Sequence, residues 1–425
     1  MKLRQILAAA LLLCAVSASA QTYDVLDRVA SDGRKMAAME GVHRFDAGPL
    51  TPAPEGYEPF YISHYGRHGS RYAWNSKTYT YIRDVFRRAH EKGLLTAVGE
   101  DFYSKYEQFW QIPLINAGDL VPLGFEQHQR IARFTYESFP EVFEGSRKVS
   151  ARSSTSQRCI VSMSAFLSSL AACAPELQFS AISNHTGMAD IVPPSAPKEL
   201  RKKFKGQGDT PKIMKPDDFS RRTVDYDSII SHLFTDPSVV KQAGGREKFA
   251  SEMFSLLGGY RNYCDEPLFD DAVTPGNMLK LWEANNYSSF YGDITTRYAM
   301  IPLLQDIIAK AEAAFADRSV AADLRFGHDY IVEAFSCLLD LNGCGTVPTD
   351  PNEAKYWFQS YNVPMAATLH FVFYRGAEGS DILFKILWNE QEATLPQLTP
   401  AAGPYYRWTD FRAWADKLMK EHPQE

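Results

Sequence analysis

Cysteine is sparse in this chain, six in 425 residues, and no two of them stand in a Cys-x-x-Cys pattern, which argues against a zinc site. Histidines are no better placed for a metal: His43, His90, His185, His232, His370 and His422 show no ligand-like spacing. There is no internal repeat and no low-complexity tract. Positive charge is not in excess, with 45 Lys and Arg against 51 Asp and Glu, so nucleic acid is not expected as the general partner. Long apolar runs are missing too. Ile6 to Val16 is too short to span a bilayer, and no later stretch would make a transmembrane helix. With Lys2 and Arg4 before that run and Ala18-Ser19-Ala20 after it, residues 1–20 read as a secretory signal cleaved before Gln21, which predicts a periplasmic or extracellular protein. Cys14 has the bulky Leu13 before it, so a lipoprotein is disfavoured. Cleavage leaves Cys159, Cys173, Cys264, Cys337 and Cys344. In an exported chain Cys337 and Cys344 could close a small disulfide loop, or the thiols could stay free and buried.

What is present is concentrated in Tyr65-Gly66-Arg67-His68-Gly69-Ser70-Arg71. A short apolar stretch, Phe60-Tyr61-Ile62, precedes it and reads as a β-strand. One histidine lies between two arginines, with a glycine on each side of the Arg67-His68 pair. Guanidinium groups suit phosphate oxygens because their planar fork gives paired, charge-assisted hydrogen bonds and stays charged. A neutral imidazole beside such a cradle can attack phosphorus and become a phosphohistidine. Glycines let the backbone turn sharply and approach a bulky anion.

Helix-like spacing of apolar residues covers 79–92, 123–138 and 301–315, and a last amphipathic helix uses Phe411, Trp414 and Leu418. Lys148 to Ala151 reads as a strand leading into Ser153-Ser154-Thr155-Ser156, good N-caps for a helix with Cys159, Met163, Phe166, Leu167 and Leu170 on one face. Leu324-Arg325-Phe326 is another strand candidate, and the runs 369–374 and 382–388, joined through Gly376 and Gly379, form a hairpin signal. Strands alternating with helices predict an α/β fold with a largely parallel sheet and helices on both faces. Ligands in such folds sit beyond the carboxyl ends of strands. Arg67-His68, Arg152 to Arg158, and His328-Asp329 each follow a strand, so all three are expected at one crevice. The expected organisation is a core of residues 21–180 and 295–425, with 181–294 as a mainly helical insertion over the crevice.

The stretch from Arg67 to Arg71 resembles the signature of the histidine phosphatase superfamily, in its acid phosphatase and phytase branch, where the pattern is Arg-His-Gly-x-Arg-x-Pro. The final proline is replaced by Ala73, which leaves the course of the next loop open. Gly327-His328-Asp329 matches the His-Asp pair of that branch, and Arg158 matches an arginine at a helix start that contributes to the phosphate pocket. Leu123-Gly124-Phe125-Glu126-Gln127-His128 is similar to its Gly-x-x-Gln helix start, with His128 structural. The resemblance implies that His68 is the nucleophile, that Arg67, Arg71, Arg158 and His328 bind the phosphate, and that Asp329 protonates the leaving oxygen. No cofactor or metal is needed in such a course. A free Asp has a pKa near ~3.9, so the donor is expected to be kept protonated by burial or by neighbouring negative charge. Arg152 is read as a surface residue or a second phosphate contact, and His64 as packed beside the first strand.

The implied activity is hydrolysis of phosphate monoesters, with phytate or other inositol polyphosphates as candidate substrates. Nine basic residues in 198–222 (Lys198, Arg201, Lys202, Lys203, Lys205, Lys212, Lys215, Arg221 and Arg222) could steer a polyanion, or form a solvated face. The inositol polyphosphatase branch often carries His-Ala-Glu where this chain has His328-Asp329-Tyr330, which favours the broader acid phosphatase pattern. The alternatives are an exported protein that binds a phosphorylated ligand without turnover, or a phosphotransferase like phosphoglycerate mutase, which shares the Arg-His-Gly core.

Overall fold

The computed structural model describes residues 25–43, 45–193 and 213–423. The signal segment and six of the nine basic residues, Lys198 through Lys212, lie outside the described residues.

The centre of the molecule is one eight-stranded sheet in the order β3-β2-β4-β1-β5-β6-β7, with β8 paired to β6. The strands are β1 (Glu58–Arg67), β2 (Lys148–Ser153), β3 (Gln178–Ile182), β4 (Val320–Gly327), β5 (Thr368–Arg375), β6 (Leu383–Trp388), β7 (Gln391–Ala393) and β8 (Tyr406–Arg407). The first four in spatial order, β3, β2, β4 and β1, run parallel. Beyond β1 the pairing becomes antiparallel, and β5 and β6 form the expected hairpin with Leu369 opposite Trp388. The sheet is therefore mixed, with its parallel part around the strand ends that matter. Every residue of β1 from Phe60 to Arg67 is buried, as befits a strand covered on both faces.

β1 is longer than the apolar triplet suggests and runs through the signature to Arg67. Its polar residues survive burial because each finds partners across the sheet or from a covering helix, so hydrophobicity alone understates the strand. Helices expected from periodicity appear as Lys77–Glu91, Pro122–Ser138, Gln157–Cys173, Ile301–Ala316 and Trp408–Glu421. In Ile301–Ala316 the buried residues Leu303, Leu304, Ile307, Ile308, Ala311 and Ala314 make one stripe against the sheet.

A separate hydrophobic cluster sits in a helical lobe. It joins Ile229, Ile230, Phe249, Met253 and Trp282 to Tyr79, Ile82, Phe86, Phe102 and Tyr106, and to Val25, Val29 and Met36. The lobe thus draws on helices before β2 and on the N-terminal segment as well as on residues 213–296. All five cysteines among the described residues are free, and Cys337 Sγ donates a weak hydrogen bond to the Cys344 carbonyl at 3.6 Å instead of forming a disulfide.

Candidate active site

The parallel register places three strand ends side by side: Arg67 of β1 lies opposite Gly327 of β4, and Ser153 of β2 opposite Phe326. His68 is the first residue past β1. Its N–H donates to the Gly327 carbonyl at 3.0 Å and its carbonyl accepts from Ala366 N at 2.9 Å, so its backbone is pinned on two sides. The ring's Nδ1 lies 2.9 Å from the Gly69 carbonyl, which can only accept, so Nδ1 carries the proton and Nε2 the lone pair. Burial pushes the imidazole pKa well below its usual value, and Arg67, Arg71, Arg158 and His328 push it further. The ring is neutral and oriented, the state a nucleophile requires.

The turn after His68 is held by close backbone packing. A Cβ on Gly69 would come within 2.3 Å of the Gly124 carbonyl oxygen, so the two glycines let the signature and the helix Pro122–Ser138 touch. Gly69 N donates to Ser162 Oγ at 3.0 Å, and Ser70 N to Gln127 Oε1 at 2.8 Å. The Gly124-to-Gln127 echo therefore has a mechanical meaning: it clamps the signature loop. Ala73, in place of proline, donates its N–H to Tyr79 Oη at 2.8 Å, a bond proline could not make.

Three arginines surround the imidazole. Arg67, wholly buried, donates through Nη1 to the carbonyls of Met39 and Val363 and through Nη2 to Asp329 Oδ2 at 2.7 Å. Arg71 donates to the Tyr72 carbonyl at 3.0 Å and to Glu40 Oε1 at 3.3 Å. Arg158 is the second residue of the helix Gln157–Cys173; burial and the neighbouring arginines lower its pKa, but a guanidinium stays charged. In all three the buried Nε finds no acceptor among the described residues. Buried donors without acceptors are costly, and three guanidinium charges acting on one imidazole suit the place to an anion.

His328 stands at the N-cap position of the helix Asp329–Leu338, its ring edge-on to His68 with centroids 5.8 Å apart. Ser154 Oγ lies 3.0 Å from its Nε2, and burial followed by Arg158 lowers its pKa to about 4. The serines after β2 thus act differently from simple caps: Ser156 occupies the N-cap of its helix without a side-chain cap, while Ser154 reaches His328.

Asp329 departs from expectation in one respect. Burial would raise its pKa, but Arg67 and Arg71, with a bond from Tyr330 N, hold it down at about 2. It is a carboxylate paired to Arg67, not a standing acid, because the arginine that would grip phosphate grips it first. Two carboxyls whose pKa values are raised lie behind it. Glu333, one turn along the same helix, is buried against Asp293 of the helix Pro275–Thr296, and burial pushes both pKa values well up, each carboxyl adding to the other's shift or hydrogen-bonding it.

Met39, Glu40, Ser162 and Asn262 were not foreseen. Asn262 accepts from Ser70 Oγ at 2.7 Å and donates to the carbonyls of Glu40 and Gly259, which ties the N-terminal segment to the signature. Arg152 is drawn away from the phosphate cradle: it pairs with Asp306, which also takes Arg325, and with Asp190. His64 packs against Phe166 and Phe326 and bonds His370, and His128 Nε2 bonds the Arg67 carbonyl at 3.0 Å, so both are structural. Among the described residues no group of three His, Cys, Asp or Glu could hold a metal, and no helix is long and apolar enough to cross a membrane.

Residues 66–212 match the sequence model of the histidine phosphatase superfamily (branch 2). No curated protein matches the chain. Among solved structures, the multiple inositol polyphosphate phosphatase of Bifidobacterium longum in complex with inositol hexasulfate is similar with a TM-score of 0.68 at 17% identity, covering 90% of this chain and 97% of its own. The phytase from D. castellii gives 0.61 at 12% identity, covering 91% and 85%. The Hafnia alvei phytase in complex with tartrate gives 0.58 at 14%, covering 86% and 98%. The resemblance read from Arg67 to Arg71 is borne out: the chain has the histidine phosphatase fold, and its signature lies in the segment that matches the superfamily.

Proposed function

We propose that this chain is a secreted phosphomonoesterase that works through a phosphohistidine on His68. The observation that carries this reading is the neutral, tautomer-fixed imidazole ringed by three guanidinium groups whose Nε atoms lack acceptors. A phosphate monoester docks its oxygens on Arg67, Arg71, Arg158 and His328. His68 Nε2 attacks phosphorus, the ester oxygen leaves as the alcohol, and water then splits the phosphohistidine to inorganic phosphate. The arginines meet the charge on the transferring group.

Asp329 supplies the proton for the leaving oxygen. The incoming phosphate dianion competes for Arg67, so its arrival loosens the Arg67–Asp329 pair and raises the carboxyl's affinity for a proton. Binding and acid activation are then one event. Support for inositol polyphosphates as the substrate class comes from the likeness in fold to proteins named multiple inositol polyphosphate phosphatase and phytase, and from the basic run 198–222. The test is phosphate release across a nitrophenyl ester, inositol hexakisphosphate, sugar phosphates and nucleotides. Quenching without acid after a labelled substrate is added should trap an acid-labile, base-stable label on the wild type. No release from any ester overturns the enzyme reading in favour of a binding protein, and release without the label overturns the phosphohistidine step.

A further inference from the structure

The helix Asp329–Leu338 carries acidic residues at positions i and i+4, so Asp329 and Glu333 stand on one face a turn apart. Asp293 reaches Glu333 from the helix Pro275–Thr296, and the two carboxyls are hydrogen-bonded, with side chains almost wholly buried. A carboxylate only accepts, so a bond between two carboxyls requires one of them to keep its proton. Among the described residues no N–H or O–H donor reaches Glu333 Oε1 or Asp293 Oδ2, and no lysine or arginine forms an ion pair with either side chain. Arg67 acts on Glu333 from β1, Asp329 acts on both, and Cys337 stands one further turn on, with Cys344 and Arg297 beside it. Arg67 therefore binds one carboxylate, Asp329, and acts electrostatically on a second, Glu333.

We infer that Glu333 and Asp293 share a single proton, and that the one negative charge left on the pair weakens the hold of Arg67 on Asp329, so that Asp329 can carry the proton the leaving alcohol needs. Neither residue touches substrate; both are positioning residues acting through Arg67 and Asp329. The proposal rests on the phosphatase reading given above. Its sign is set by simple electrostatics: a negative charge near Asp329 favours the protonated form, and removing that charge favours the carboxylate. The alkaline limb of turnover on a poor leaving group should follow.

Amide substitutions separate a shared proton from two independent charges. In Glu333→Gln the amide N–H takes the place of the shared proton and Asp293 stays ionised, so the charge on the pair is unchanged. Asp293→Asn is equivalent. Each single variant should keep the wild-type pH profile of kcat on an alkyl phosphate, which also shows that the site still folds. The double variant, Glu333→Gln with Asp293→Asn, has no charge, and its alkaline limb should move down by roughly one pH unit. The nitrophenyl ester, which needs less protonation, should show a smaller change. An unmoved limb in the double variant, or singles that shift as far as the double, overturns the inference. Infrared spectra of the wild type supply a check that needs no folded double variant: a protonated-carboxyl carbonyl stretch should persist at neutral pH and vanish in Glu333→Gln. Absence of that band from the wild type also overturns it. A failure of the phosphatase reading itself shows differently, as no phosphate release from the wild type at all.

Discussion

Two sets of buried histidines lie within a few residues of each other and do opposite things. His68 and His328 stand past the ends of β1 and β4, and His64, His128 and His370 stand behind them in the packed interior. All five are neutral, because burial lowers each pKa: to about 4 at His328 and His370, to about 3 at His128, and well down at His64 and His68. Loss of basicity therefore does not mark the site. Surroundings do. His64 lies among Phe166, Phe326 and the His370 ring, whereas His68 has three arginines around it whose Nε atoms have no acceptor. The same side chain is a packing element in one place and a nucleophile in the other, according to whether the nearby charge is satisfied.

The strongest way to break this comparison is to remove one member from each set. His68→Ala should abolish turnover and leave the thermal unfolding midpoint close to wild type, since no other residue can take the phosphoryl group. Retained phosphate release would return His68 to the structural set. Asp329→Asn should keep the pocket's shape and lose on the order of a hundredfold or more with alkyl or inositol phosphates, the usual worth of general acid catalysis, and much less with a nitrophenyl ester. Equal losses on both esters would mean another donor.

From the structural set, His370→Gln should leave turnover alone and change how stability depends on pH. The folded His370 titrates at about 4, below the unfolded value near ~6.5, so between these values the unfolded chain binds the extra proton. Stability contributed by the neutral ring is present above the unfolded pKa and is lost as pH falls towards 4, by on the order of 3 kcal/mol in total. Denaturant unfolding at several pH values should show that acid loss reduced in the variant. An unchanged slope would show that this burial is not what sets acid sensitivity. The smallest effect is expected from the basic run 198–222. Neutralising Lys202, Lys203 and Lys205 together should raise KM a few-fold for inositol hexakisphosphate and leave a small monoester unaffected, because long-range attraction acts on polyanions most. Parallel changes on both substrates would make those lysines an ordinary solvated face.

The residues of the site were legible to the extent that their chemistry is local. Arg67, His68 and Arg71 stand within five positions, and the strand-then-motif pattern placed Arg158, His328 and Asp329 at neighbouring strand ends. Met39, Glu40 and Asn262 left no such trace, since what they contribute is a carbonyl, a carboxylate and an amide delivered from distant chain segments. The charge state of Asp329 was misjudged for a related reason: burial is readable from sequence pattern, but the partner that overrides it, Arg67, is 262 positions away. The sequence predicts a helical insertion at 181–294, and the lobe's core also takes in Tyr79, Phe86 and Tyr106 from before β2, because periodicity reports a helix's apolar face without its partner. Hairpin β5–β6 was legible since its turn glycines and both apolar runs are contiguous.

The position of β4 has a consequence for how the protein comes into being. It pairs with β2 on one side and β1 on the other, yet it enters the sheet about 250 residues after β1 in the order of synthesis. Until it arrives, the nucleophile-bearing strand and its neighbour have nothing between them, and two apolar edges wait open to any passing strand. Closing so long a loop is slow, as it is for folds dominated by distant contacts. A nascent or truncated chain ending before Val320 would carry the whole Arg67–Arg71 signature and yet have no assembled centre. Catalytic competence therefore waits on a strand made late in the chain, and until it docks the facing edges of β1 and β2 need shielding.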